Sequence, residues 1–335
     1  MKKQIIVTVS AILAILLAGC AGLGAGPAAG QGQSSDLPVV SIGILQIIDH
    51  PALDDARNGF INALAEEGWI EGENVTFHPY NAQGDIANAH TMAQHIVGHE
   101  VDLILGIATP TSQSLANVTD TIPIVITAVT DPYQAGLIEC FERPNTNVTG
   151  TSNLTPVAQQ FALLTRLLPE ARVVGIMYNS GEVNSQIQAD MAREQAAIQG
   201  LEYIPGVAHS TVDVAQVVES IIGLVDVIYI PTCNTMAAAY TTIVMIAEER
   251  GIPIIAGEEG ALPQGALATE GVNHYNLGRQ TAVMAAQILR GEAIPQEMPI
   301  QWQENTNMII NIAAAERLGI NIPQDLLEEA EIVNY

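Results

Sequence analysis

A chain of 335 residues, 48% hydrophobic and only 14% charged, has enough apolar side chain for a large core, which excludes a disordered or low-complexity protein. Its 36 acidic residues against 11 basic ones give a formal charge of −25, which repels phosphate backbones and argues against nucleic acid as a partner. Lys2 and Lys3 are the only lysines, so the body holds neither a Walker-type lysine loop nor a Schiff-base lysine. The length suggests about two domains.

Lys2 and Lys3 form a positive n-region, and Ile5 to Leu17 is almost purely apolar. That run is short for a membrane span of about 20 residues and reads as a secretory signal. Leu17-Ala18-Gly19-Cys20 resembles the lipobox of prokaryotic lipoproteins. The resemblance implies a signal peptide over residues 1–19, with Cys20 diacylated as the first mature residue. Residues 20–37 are then a lipidated, flexible tether rich in Gly, Ala, Gln and Ser, with a reach of about 20–25 Å. Two or more acyl chains anchor stably where one does not. The expected location is the outer face of the cytoplasmic membrane.

The body alternates buried strands with amphipathic helices. Val39 to Gln46 reads as a strand, and Pro51 to Glu67 as a helix with Leu53, Ala56, Phe60, Ala63 and Leu64 on one face. Val101 to Thr109 and Pro123 to Thr130 are continuous apolar runs of the kind buried in parallel sheets. The pattern then recurs. Ile42-Gly43-Ile44-Leu45 is echoed by Val174-Gly175-Ile176-Met177, Val101-Asp102-Leu103 by Val225-Asp226-Val227, and Ile122-Pro123-Ile124 by Ile252-Pro253-Ile254. Three echoes in one order predict two similarly built α/β lobes with parallel sheets and a ligand cleft between them. The first lobe is expected over residues 38–153 plus about 270–298, the second over 154–269 plus about 299–335. Thr155-Pro156 opens a helix, with Thr155 as N-cap, and a further helix runs from Leu277 to Arg290. Cys140 and Cys233 fall in different lobes, which argues against a disulfide between them.

Ligands in such sheets lie beyond the carboxyl ends of the strands, at helix N-termini. The first lobe offers His50, Ala52, Leu53 and Asp54, then Thr109, Thr111 and Ser112, then Thr130 and Asp131. The second offers Tyr178, Asn179 and Ser180, then Thr232, Cys233 and Asn234, then Glu258 and Glu259. Hydroxyls and free N–H groups at Thr109, Thr111 and Ser112 suit a carboxylate, and Asp131 with Glu258 or Glu259 suits an ammonium group. Tyr178, Asn179, Ser180 and Asn234 would close over a side chain. The ligand so described is a small zwitterion such as an amino acid; a phosphate or sugar acid would call for Lys or Arg. Each of these polar residues also has a plain alternative as a helix cap. His90, His95 and His99 read better as a solvated surface than as a zinc site. No nucleophile elbow, zinc-protease motif or C-x-x-C occurs, so no enzyme, cofactor or metal is expected.

These stretches resemble the substrate-binding lipoproteins of ABC importers, in the family that includes tryptophan/tyrosine-type binding proteins. The resemblance is carried by His50-Pro51-Ala52-Leu53-Asp54, Asn81-Ala82-Gln83-Gly84-Asp85, Ala108-Thr109-Pro110, Thr127-Ala128-Val129-Thr130-Asp131-Pro132, Arg143-Pro144, Asn147-Val148-Thr149-Gly150, Gly265-Ala266-Leu267-Ala268-Thr269 and Tyr275-Asn276-Leu277-Gly278-Arg279-Gln280. It implies a type I periplasmic-binding-protein fold with two Rossmann-like lobes, three crossovers and hinge closure. The implied ligand is an amino acid, aromatic ones first, delivered by a monomer to an ABC permease and its ATPase. One departure stands out. The family's Pro-Thr-Asp-Asn-Thr is Pro231-Thr232-Cys233-Asn234-Thr235 here, which removes a carboxylate from the expected cleft. A sensing module for a membrane receptor on the same fold is the alternative reading.

Overall fold

The computed structural model describes residues 37–303 and 305–335; the expected signal peptide, Cys20 and the expected tether up to residue 36 lie outside them. The first lobe lays down β1 (Val40–Gln46), α1 (Pro51–Glu66), β2 (Val75–Asn81), α2 (Ile86–Gly98), β3 (Leu103–Ile107), α3 (Thr109–Ala116), β4 (Ile124–Val129) and β5 (Val148–Ser152). Every residue of β3, β4 and β5 is buried; β3 and β4 are the apolar runs expected of strands covered on both faces, while the hydroxyl-rich β5 is buried with its threonines hydrogen-bonded. The second lobe repeats the scheme with α4 (Val157–Leu167), β6 (Val173–Tyr178), α5 (Val183–Ile198), β7 (Glu202–Val207), α6 (Val214–Ile221), β8 (Val227–Ile230), α7 (Asn234–Ala237), α8 (Tyr240–Glu249), β9 (Ile254–Ala256) and β10 (Ala268–Gly271).

The chain then adds α9 (His274–Leu289), β11 (Gln301–Trp302), β12 (Asn307–Asn311), α10 (Ile312–Leu318), α11 (Gln324–Glu329) and β13 (Glu331–Val333). The first sheet has the order β11-β5-β4-β3-β1-β2 and is wholly parallel in its described pairs. The second runs β13-β12-β10-β9-β8-β6-β7, with β10 and β12 antiparallel. The three sequence echoes fall on topologically equivalent strands: β1 with β6, β3 with β8, β4 with β9. In each sheet the chain reverses direction beside the first strand of its lobe, between β1 and β3 and between β6 and β8. Those two switch points are where crevices open.

The chain passes between the lobes after β5, after β10 and after β11. The last passage comes later than residue 299, because Gln301 and Trp302 pair with Thr151 and Ser152 at the edge of the first sheet. Helix α9 belongs to the first lobe through its contact with α1. A Cβ built on Gly59 would lie 2.0 Å from the Tyr275 carbonyl oxygen, and one on Gly278 only 1.9 Å from that of Ala56. Only glycine permits the two backbones to come so close. Helix α4 starts one residue later than expected, with Pro156 as its N-cap; the Thr155 hydroxyl instead donates to Gln188 Oε1. Helix α9 starts three residues earlier, capped by the Asn273 side chain. The cysteines Cys140 and Cys233 are both free.

Candidate ligand cleft

The two switch points face each other across an enclosed polar compartment. First-lobe residues His50, Leu53, Ala128 and Thr130 line it, the crossovers add Asn153 and His274, and the second lobe supplies Asn184, Thr232, Cys233, Asn234 and Glu258. It has room for about one water molecule. The lobes are latched here: Thr130 Oγ1 lies 3.4 Å from Thr232 Oγ1 and donates to Asn153 Oδ1 at 3.3 Å. Gln188 Nε2 donates to both threonine hydroxyls. An outer compartment of about 240 Å³ adjoins it, with Ile47, Ile48, Ile86 and Pro110 as apolar wall and Glu182, His209 and Thr235 opposite. Asn234 borders both compartments. Ala108 and Ala128, at the ends of β3 and β4, hold φ of +83° and +55°. Such strain in residues with a Cβ persists only where the surrounding structure enforces it, and ligand clamps are common places for it.

The electrostatics come from five buried side chains. Glu182 accepts from Asn234 N at 3.0 Å, Asn234 Nδ2 at 2.6 Å, Thr235 N at 2.9 Å and Thr235 Oγ1 at 2.6 Å, so it fixes the start of α7. Glu258 is only 4% exposed. Burial first, and the Glu182 carboxylate second, push its pKa up to about 8. Desolvation drives His50 down to about 4, against the pull of Asn234, Glu182 and two aspartates. Neither of its ring nitrogens closes a well-formed hydrogen bond. His274, beside Asn153 Nδ2, falls to about 3 for the same reason, helped by His50. Burial and Glu182 raise the Cys233 thiol far above its ordinary range, so it stays protonated. Among the described residues, no arginine lines either compartment.

The structure thus brings together His50, Leu53, Thr130, Thr232, Cys233, Asn234 and Glu258 of the residues expected from sequence. Others are occupied elsewhere. Thr111 and Ser112 donate back to carbonyls at Ile107 and Ala108, as hydroxyls inside a first helical turn readily do, so they are not free for a carboxylate. Thr109 keeps a buried hydroxyl without a partner. Asp131 caps its own turn, accepting from Tyr133 N, Gln134 N and Gln134 Nε2, and lies outside the lining of both compartments. Glu259 accepts from Asn273 and Asn307 side chains, away from the cavity lining. Asp54 is held by Gln46 and Arg57, and Ala52 packs against Gly260. Tyr178 is buried in the second-lobe core, Asn179 braces Thr235 and Ser180 is exposed, and none of the three lines either compartment. His99 stacks on His78 and meets Tyr80, while His90 meets Gln94.

Sequence reasoning missed Ala128, Asn153, Asn184, His274 and, above all, Glu182. Asn153 and His274 belong to crossovers, which must pass beside any interlobe cleft; that was the available signal. Glu182 lies two residues past Ser180, the last residue singled out in its loop, and its Oε1 lies 3.8 Å from Cys233 Sγ. A carboxylate from the neighbouring loop thus lies beside the Cys233 thiol.

Known proteins share this arrangement. Residues 41–334 match the family described as ABC transporter substrate binding protein. A tyrosine-binding protein of Clostridioides difficile is 35% identical over 312 residues, covering 92% of this chain and 90% of its own. A crystal structure from Streptococcus pneumonia in complex with L-Trp is 34% identical, with a TM-score of 0.85 over 88% of this chain and 99% of that one. The ligand-free, open structure of a substrate binding protein with adhesive properties from Clostridium difficile is 39% identical over the same shares, yet its TM-score is 0.66. The lobes here are therefore disposed as in the complex rather than as in the open form, despite the higher identity to the latter. Taken with the paired sheets and the cleft between them, these matches make the chain a member of the ABC transporter substrate binding protein family, with the type I periplasmic-binding-protein fold and a solute-binding rather than enzymatic role.

Proposed function

We propose that this protein is a lipid-anchored, monomeric solute-binding protein that captures an aromatic amino acid between its lobes and hands it to an ABC permease. The observation that carries the reading is the Glu258 carboxyl, buried in the inner interlobe compartment with no arginine or lysine beside it among the described residues and both neighbouring histidines held neutral. A ligand ammonium group supplies the missing positive charge. The amides of Asn153 and Asn234 and the hydroxyls of Thr130 and Thr232 provide donors for its carboxylate, and the apolar wall of the outer compartment suits an aromatic side chain. The relatives that bind L-Trp or are called tyrosine-binding support that choice. The anchor rests on Cys20 and its preceding Leu17-Ala18-Gly19.

Thermal-shift and calorimetric titration with L-tyrosine, L-tryptophan and L-phenylalanine test the ligand, because a ligand that binds only the native state raises the melting temperature. Failure of all three to shift it, with an aliphatic amino acid or sugar succeeding, overturns the aromatic assignment. Incorporation of labelled palmitate that vanishes in Cys20→Ser tests the anchor.

A further inference from the structure

Closing the lobes seals Glu258 in the inner compartment. The elements around it present His50 from α1, His274 from α9, Glu182 ahead of α5, Cys233 at the start of α7 and Tyr240 from α8. None of these brings a positive charge, since both histidines are held neutral and the thiol and phenol stay protonated. An ionised carboxylate enclosed there has no counter-charge, closes no hydrogen bond with these neighbours and has no room for more than about one water. We propose that Glu258 is the charge gate of the cleft: the lobes close only when its carboxyl is neutralised, either by the ammonium group of a ligand or by a proton. The ligand arm rests on the amine-bearing ligand proposed above; the proton arm needs no ligand.

The sign of the pH effect follows from the groups that change environment. In an open cleft Glu258 meets solvent and keeps its ordinary 4.5, against about 8 when enclosed. Between pH 8 and 6.5, closure takes up about half a proton net, because Glu258 gains one while the histidines begin to lose theirs, so the empty cleft closes about fourfold more readily at pH 6.5 than at pH 8. Below the ordinary 6.5 of histidine, His50 and His274 are protonated when open but resist protonation to about 4 and 3 when enclosed. Closure then releases two protons for the one it takes up, and becomes harder again. The closed fraction of ligand-free protein is therefore largest near pH 6.5 and falls on both sides.

Energy transfer across the lobes of the full chain reads this directly, with one dye on half-buried Cys140 and the other on an Arg193→Cys substitution in the second lobe. Cys233 is buried and leaves the labels specific. The expected wild-type profile is a bell about pH 6.5, and Glu258→Gln removes its alkaline limb while sparing the acid one. L-Tryptophan should close the wild type at pH 8.5, whereas indole-3-propionate, which lacks the amine, should do so several-fold less well than at pH 6.5. In Glu258→Gln that pH dependence of discrimination disappears. A flat wild-type profile, or an alkaline limb that survives Glu258→Gln, overturns the gate. A bell with no response to any aromatic amino acid leaves the gate standing and refutes the aromatic ligand instead.

Discussion

Asp131 and Glu258 each follow a central strand, β4 and β9, and each faces the interlobe region in sequence logic. Their fates differ because of what lies within reach. Asp131 is followed by a turn whose Tyr133 and Gln134 N–H groups point back at it, so its charge is satisfied locally. Glu258 is held in extended backbone ahead of a 3-10 helix, and its side chain caps nothing there. A carboxylate becomes available to a ligand when its own backbone offers it no donors. The same contrast separates Thr111 and Ser112, bonded to their own helix, from Thr130 and Thr232, bonded to each other across the lobes.

The strongest way to break this contrast is Glu182→Ala, which strips the acceptor from two backbone N–H groups and two side chains at the start of α7. A loss of about 3 kcal/mol in urea unfolding is expected, with ligand affinity abolished in calorimetry. Away from the cleft, Gly278→Ala drives a Cβ into the Ala56 carbonyl and should destabilise by about 2 kcal/mol or more, with affinity in the surviving folded fraction retained. Thr232→Val removes the latch while keeping the shape; about 1–2 kcal/mol is expected from the lost Gln188–Thr232 hydrogen bond, together with a shift of the ligand-free protein toward the open form in small-angle scattering. Asp131→Ala has the smallest effect: about 1 kcal/mol of stability from the lost cap, and unchanged affinity. A severe loss of binding in Asp131→Ala would reverse the assignment of the two carboxylates.

Much of the fold was legible because buried parallel strands leave unbroken apolar runs and a duplicated lobe repeats them in order. The edge strands β2 and β7 were not legible. Half-exposed, polar and interrupted by Pro79 and Pro205, they are strands because β1 and β6 pair with them. In the cleft, the loops were legible but the direction of each side chain was not. Hydrogen bonds of two to four residues' span decide whether Thr111 or Asp131 is free, and bonds from the distant Asn273 and Asn307 decide it for Glu259; residue type alone reveals neither. Glu182 shows the converse: it lies just past the loop residues singled out from sequence, yet its carboxylate holds the start of α7 beside Cys233 and borders the outer compartment.

The glycine-to-glycine crossing of α1 and α9 has a consequence for how the protein is made. The lobe that begins at the N-terminus takes its packing partner for α1 from residues 274–289 and its last strand from Gln301–Trp302. A chain emerging N-terminus first across a membrane has almost finished its passage before that lobe can be completed, while most of the central lobe has already arrived. Maturation of the early half therefore waits on the late segments, and a truncation before α9 should leave a folded middle attached to an unfinished beginning.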